Sequence, residues 1–453
     1  MGIEACTKRS FASNLHYAPG YARRCAEALS EALDAAPAYE SWRALDPGAE
    51  ADLFCRYAAL PALTKRELRA FGPQGFVPRG RDIEKALAAG EIELVKTSGL
   101  TGDRVTNVWY QPWWNESEAA SWGLNAHTRA AAVGDHREAI LTSPWCTGFP
   151  CEDDYLTRHE RTLGRFLYLS ERSDPSEWSE ELMNRMVDEI NAFEPVVIEA
   201  NPSFLARLSR HIVAWGLEVH APRTIILTYE NPSILHRRQI ARAFNAPIAS
   251  SYGATEAGYV FMECEAGRLH QVTESCHIDF LPFKPEHGGP KVGRMLVTTF
   301  GNPWRSLVRF DVGDVARLAN ESPCPCGRRE GLTLSAIEGR TVSLTLATDG
   351  RAVTQGAVDR ALADVPGLLE YQLFQTGASA YHLRFATEEV EPGIVETAAR
   401  EALGALYGSG AEVAAEHVRA VTPDPPGKYL LARRHEPVEP DALLEAAYAP
   451  RII

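Results

Sequence analysis

The sequence predicts an α/β fold in two parts, a large multi-subdomain N-terminal region (1–340) and a small α+β domain (341–453). Three observations predict it. Between 175 and 254, helical and strand patterns alternate as in a sheet covered by helices. From about 292 the pattern changes to short alternating strands joined by Gly turns. After Gly339-Arg340 a new helix-and-strand series begins, and 453 residues exceed what one hydrophobic core commonly supports.

The elements follow in order. Residues 18–58 carry apolar runs at helical spacing, such as YARRCAEALSEAL. In LPALTKRELRAFGPQGF, Thr64 caps a short helix that Gly72 and Pro73 end. IELVKTSGLTGDRVTNVWY (92–110) reads as strand, Gly-rich turn, strand. SEELMNRMVDEINAF and NPSFLARLSRHIVAWG are helices flanking the buried strand PVVIEA, with Pro195 and Pro202 as punctuation. RTIILTYE and APIASSYG are strands on either side of the amphipathic helix SILHRRQIARAF. VGRMLVTTF and WRSLVRFDVGDVARL are alternating strands. The small domain reads TVSLTLA, a DGR turn, a helix in AVTQGAVDRALADV, strands LEYQLFQ and AYHLRFA, a helix over 391–406, and strand HVRAV.

Composition excludes several classes. A net charge of −14 disfavours a general nucleic-acid binder or a polybasic membrane binder, while leaving room for a local basic pocket. No stretch reaches the roughly 18 apolar residues of a membrane span, and the N-terminus lacks the apolar core of a signal peptide. Cys6 spoils the match of the Met-Gly start to a myristoylation signal. Nine scattered cysteines fit a reducing cytoplasm.

Three segments carry chemistry. KTSGLTGDRV (96–105) sets glycines and hydroxyls after a strand, where backbone amides can approach phosphate. It lacks Walker A spacing, and a plain hairpin turn also accounts for it. ASSYGATEAG (249–258) ends a strand at Tyr252-Gly253, followed by Thr255, a phosphate donor, and Glu256, a hard oxygen ligand for magnesium. RSLVRFDVGDVARL (305–318) places Asp314, with Asp311 second, at a strand-ending Gly turn where a carboxylate can hold two ribose hydroxyls. A surface loop and an ordinary hairpin are the bland alternatives for the last two.

In this order and with these separations, the segments resemble the adenylate-forming (acyl/aryl-CoA synthetase) superfamily, in its phenylacetate-CoA ligase-like branch. LPALTKRELR, CPCGRREG at 324–331 and the compact length point to the branch. The likeness runs from roughly 60 to 434 and is weakest between about 110 and 195. It implies a large adenylation domain over 1–340 and a mobile small domain carrying a catalytic lysine. It also implies ATP- and Mg2+-dependent conversion of a carboxylic acid to an acyl-adenylate, then acyl transfer to CoA. A carrier-protein thiol or an amine in a biosynthetic pathway is the alternative acceptor, and a homodimer is an allowed assembly.

The resemblance also assigns roles. Thr97, Ser98, Gly99, Thr101 and Gly102 would wrap the ATP phosphates, although Asp103 stands where a basic residue is usual. Thr228-Tyr229-Glu230 replaces a Gly-Gly-Glu-like adenine segment. Ser251, Tyr252 and Gly253 would line adenine and acyl group, Thr255 the α-phosphate, Glu256 the magnesium, and Asp314 the ribose. Arg340 would sit near the ribose at the start of the hinge, where the usual acidic residue is missing. Lys428, in PPGKYLLARR, matches the catalytic lysine.

Cys264, His270, Cys324 and Cys326 form a Cys3His set suited to structural zinc, with Cys276 and His277 as alternates. Trp109, Trp113, Trp114, Trp122 and Trp145 are candidates for an aryl-acid pocket, although core packing explains most of them equally well. Arg129, His127 and His159 are candidate partners for a second polar group on the acid. The competing classes are a degenerate nucleotide-binding regulator and a phosphotransferase, which would release ADP.

Overall fold

The computed structural model describes residues 15–97, 104–132, 134–147, 155–320, 323–424 and 427–445. It divides into two compact units, each assembled from separate stretches of chain. The first holds Met1–Ala132, Ser251–Ala336 and Pro440–Ile453; the second holds Val133–Ser250 and Ile337–Glu439.

The first unit opens with helix α1 (Tyr21–Ala35), which buries Tyr21, Cys25, Leu29, Ala32 and Leu33 along one stripe. Helix α2 (Leu53–Ala59) starts where Asp52 accepts the amides of Phe54 and Cys55. Helix α3 (Lys65–Phe71) starts on a capping box of Thr64 and Glu67, so the cap read from sequence is present. After α4 (Ile83–Ala88), strands β1 (Glu93–Lys96) and β2 (Thr106–Trp109) form an antiparallel hairpin with Lys96 opposite Thr106. Helix α5 (Gln111–Trp122) follows.

The second unit then forms β3 (Glu138–Leu141), β4 (Thr162–Leu163), β5 (Phe166–Tyr168), α6 (Glu180–Phe193), β6 (Val197–Ala200), α7 (Pro202–Trp215), β7 (Thr224–Leu227), α8 (Ile234–Ala243) and β8 (Ile248–Ala254). Its strand order is β8-β7-β6-β3-β5-β4, parallel except for β4. Strands β3, β6 and β7 are buried at every residue, as in a sheet covered on both faces. Ile190, Ile198, Phe204 and Ile225 belong to the shared core. Strand β8 changes partners where the chain changes units: Ile248–Ser250 pair with β7, and Ser251–Ala254 pair with β9 (Gly258–Glu263).

The first unit continues with β10 (Leu269–Gln271), β11 (Cys276–Pro282), β12 (Val292–Thr299), β13 (Phe310–Leu318) and the start of β14 (Thr333–Arg340), whose residues from Ile337 on belong to the second unit. Its strand order is β11-β12-β13-β14-β10-β9-β8. Here the structure corrects the sequence reading of FDVGDVARL. Asp314 does not follow a strand-ending turn; it lies inside β13, at a bulge. Val315 pairs with Arg294 and Asp311 with Leu296, so 312–314 oppose a single residue. Gly313, at φ +81°, supplies the left-handed conformation this needs.

The second unit closes with β15 (Thr345–Leu346), β16 (Ala352–Val353), α9 (Gln355–Leu362), β17 (Glu370–Gln375), β18 (Ala380–Ala386), α10 (Pro392–Tyr407), β19 (Glu412–His417) and β20 (Ala432–Arg434). The four-stranded sheet has the order β19-β18-β17-β20. The strand expected at HVRAV is displaced upstream to β19, whose residues are mostly exposed and carry little apolar signal. Both units together give the mixed α/β class read from the sequence. Among the described residues, no helix is long and apolar enough to cross a membrane.

Candidate active site

In the first unit, Thr97 closes the base of the β1–β2 hairpin. Its amide donates to Val105 O (2.9 Å) and its hydroxyl accepts the Val105 amide (3.0 Å). Ser98, Gly99, Thr101 and Gly102 lie outside the described residues.

The turn between β8 and β9 carries Thr255 and Glu256. The two strands approach closely there: a Cβ on Gly253 would stand 2.5 Å from Gly258 O. Glu256 is only 3% exposed. Its Oε1 makes no hydrogen bond, and Lys65 Nζ, from the first residue of α3, lies 3.2 Å away. That oxygen is ion-paired with Lys65, so a divalent cation bound to it would replace the ammonium.

Arg305 organises this region. One arm of its guanidinium donates to Asn107 Oδ1 on β2, and the other to the backbone oxygens of Thr255 (3.2 Å) and Glu256. Burial pushes its pKa down to about 10 against the charge of Glu256, so the cation persists at neutral pH. The hairpin and the Thr255–Glu256 turn are thus joined through one buried side chain. Tyr252 OH donates to Asp314 Oδ2 at 2.7 Å, which brings two further predicted residues together. Ser251 is buried beside Ser121 Oγ (3.5 Å). Asp311, the second ribose candidate, is held by Arg294 and by the Gly313 amide.

The second unit holds the other predicted residues. Tyr229 is at φ +70°, a conformation that costs a non-glycine residue about 1–3 kcal/mol and clusters at functional sites. Both carboxylate oxygens of Glu230 are engaged: Oε1 accepts the Tyr429 amide at 2.6 Å, and Oε2 accepts Ser203 Oγ at 2.9 Å. Burial pushes this carboxyl up to about 7, opposed by those bonds and by the nearby Lys428 charge. Lys428 is half-buried in a tight turn: its amide and that of Gly427 donate to Asp424 O, and Arg433 holds Asp424 Oδ1 at 2.6 Å. Arg340 ends β14. The buried acid just before it, Glu338, is bound by Thr354 and Arg360.

The cysteine and histidine set comes together in the first unit. The ligand atoms of Cys264, His270, Cys324 and Cys326 all lie within 4.8 Å of one another. Cys264 and Cys324 sulfurs are 3.6 Å apart, and Cys326 Sγ is 3.3 Å from His270 Nε2. A tetrahedron with metal–sulfur bonds of about 2.3 Å has sulfur–sulfur edges of about 3.8 Å, so the donor set fits zinc. Thr333 Oγ1 lies 3.4 Å from His270 Nδ1, which orients the ring. The alternates belong elsewhere: Cys276 Sγ faces Val272 O, and His277 Nδ1 meets Tyr21 OH at 2.8 Å.

Among the tryptophans, Trp113 and Trp122 are core residues. Trp109 and Trp114 are half-buried with tilted rings 4.2 Å apart, and Tyr259 lies 5.1 Å from Trp114; Trp145 is exposed. Arg129, His127 and His159 are exposed. Sequence reasoning missed Lys65, Asn107, Ser203 and Arg305. Arg305 did leave a signal, as a lone charge entering an apolar run; Ser203 and Asn107 left none.

No family model matches the chain. Protein CapK of Staphylococcus aureus is 20% identical over 345 residues, 70% of either chain. A 2-hydroxyisobutyryl-CoA ligase, solved in the postadenylation state with 2-HIB-AMP, superposes with a TM-score of 0.63 at 16% identity, over 89% of this chain and 87% of its own. The same ligase in an open conformation with 2-HIB-AMP and CoA gives 0.51, also at 16% identity, over 88% of each chain. The chain therefore has the fold of the adenylate-forming CoA ligases.

Proposed function

We propose that the protein is an AMP-forming acid–thiol ligase of the phenylacetate-CoA ligase-like kind, acting on an aromatic carboxylic acid. One observation carries the reading. Arg305 joins the base of the β1–β2 hairpin to the Thr255–Glu256 turn, in the unit where Tyr252 bonds Asp314. The bridge ties the hairpin to the candidate phosphate and metal residues, and Tyr252, which bonds Asp314, lies on the strand that leads into the same turn.

In the first half-reaction, a carboxylate oxygen of the acid attacks the α-phosphorus of ATP and pyrophosphate leaves. The acid is already ionised at neutral pH and needs no general base, so catalysis is alignment and charge neutralisation. The hairpin loop and Thr255 hold phosphate oxygens, Asp314 the ribose, and Tyr229, with Ser251, Tyr252 and Gly253, the base and acyl group. Lys428 stabilises the charge on the carboxylate and the α-phosphate, and Arg340 supports the ribose side. Magnesium on Glu256 would neutralise phosphate charge. In the second half-reaction, the CoA thiol attacks the acyl carbon, giving thioester, AMP and a proton. The small domain, 341–453, moves between the two, withdrawing Lys428. Cys264, His270, Cys324 and Cys326 would hold zinc in a structural role, because protein would fill all four positions.

The test is acid-dependent pyrophosphate release across a panel of aryl, hydroxy and amino acids, with and without CoA. Release with an aryl acid, and thioester only when CoA is present, is the expected result. ADP in place of AMP and pyrophosphate, or ATP binding without turnover for every acid, overturns it.

A further inference from the structure

Lys428 sits in a turn that leads into buried residues, with Tyr429 packed against the cores on both sides and Leu430 O accepting from Gln372. Gly427 is at φ +93°, and a Cβ there would stand 2.6 Å from Ser173 O and 2.9 Å from Ser143 Oγ. The turn is therefore pressed against the loops that follow β3 and β5. On its other side, the Tyr429 amide donates to Glu230 Oε1 at 2.6 Å. That carboxylate is fixed in turn. Ser203, in the first turn of α7, donates to Oε2, and Asn201 caps the same helix. Tyr229, strained at φ +70°, sets the backbone from which Glu230 projects.

Within this unit the rest of the contact between the small domain and α7–α8 is apolar at Leu235, which packs into the small domain's core, and polar around it. Glu370 takes Arg210 and the Val421 amide, Asp359 takes the Ile234 amide, and Arg238 reaches Asp364. These contacts hold the domain as a whole. Glu230 alone among the named polar groups grips the residue next to Lys428.

We propose that Glu230 is a positioning residue for adenylation: its carboxylate latches the Tyr429 amide and so fixes Lys428 in the pose used in the first half-reaction. This rests on the ligase reading above. The latch is distinct from an adenine contact: each carboxylate oxygen already meets a protein partner in this unit. The carboxyl is buried, so its bond to the amide is shielded from competing water, and burial also raises its pKa. A movement of the small domain that withdraws Lys428 must break this bond, so Glu230 is required for one half-reaction and not for the other.

The experiment uses the full chain and reads the two half-reactions apart. Losing a hydrogen bond to a charged group predicts a fall of about 10- to 100-fold in acid-dependent pyrophosphate release for Glu230→Ala. Transfer from supplied acyl-AMP to CoA stays within about 2-fold of wild type, outside the range that loss of such a bond produces. Glu230→Gln, which keeps an acceptor for the amide, recovers most of the adenylation rate. Hydrogen exchange at the Tyr429 amide reads the latch without catalysis: protected in the wild type and Glu230→Gln, fast in Glu230→Ala. If Glu230→Ala fails to fold, Ser203→Ala, which frees one carboxylate oxygen, must show the same split in milder form. Equal loss in both half-reactions, no loss in either, or unchanged exchange overturns the latch. A wild type that releases no pyrophosphate with any acid overturns the ligase reading instead, and the exchange result still stands or falls alone.

Discussion

At the scale of single residues, the first unit is organised around a buried charge. Arg305 is 6% exposed, and its donors go to one side-chain oxygen and two backbone oxygens on segments far apart in sequence. Removing it leaves three acceptors dry. Arg305→Met should therefore cost about 1–3 kcal/mol in urea unfolding and weaken ATP use more than an apolar swap at an exposed site. Arg305→Lys keeps the charge but cannot span both segments, and should fall between. Stability and ATP KM both unchanged in Arg305→Met would show that the bridge is idle. The residues with distinctive chemistry, Glu256, Asp314, Lys428 and the Cys/His set, could be picked out of the sequence because each is unusual beside its turn or glycine. Arg305, Lys65, Ser203 and Asn107 act through partners that only folding supplies. Their roles were not legible, although Arg305 stood out as a charge in an apolar run.

At the scale of elements, strong local signals were reliable and weak ones were not. The capping box at Thr64, the helices around PVVIEA and the buried parallel strands have periodicity or caps of their own. Gly313 marks a turn and a bulge alike in the sequence; only the pairing with β12 distinguishes them. Strand β19 was misplaced because an exposed edge strand carries no apolar alternation. The Cys264–Cys326 cluster brings β9 and β10 to the 324–328 turn, where Gly327 at φ +84° allows the Cys324–Cys326 knuckle. If zinc crosslinks these elements, purified protein should hold about one zinc per chain, and Cys326→Ser much less, with a Tm several degrees lower. Chelation of the wild type should lower its Tm comparably. Elemental analysis that finds no metal in either protein ends the idea.

At the scale of the whole chain, two features were beyond reading from sequence. The compact units are not the sequence halves: each is assembled from distant stretches, and long-range contacts decide which stretches join. The small domain's contacts with α7 and α8 also come from residues that look like ordinary surface charges, such as Arg210, Arg238, Asp359 and Glu370. The contact mixes these polar groups with the buried Leu235, so parting it would expose both kinds of surface. That contact gives meaning to the position of Lys428. If the small domain acts as a lever, the lysine serves only the half-reaction in which it is docked. Lys428→Ala should then slow acid-dependent pyrophosphate release by about 10²–10³-fold, the usual cost of losing one preorganised charge contact. It should leave transfer from supplied acyl-AMP to CoA within a few-fold of wild type. Equal slowing of both half-reactions would mean that Lys428 acts on stability or on a step common to both, and the lever would have to be given up.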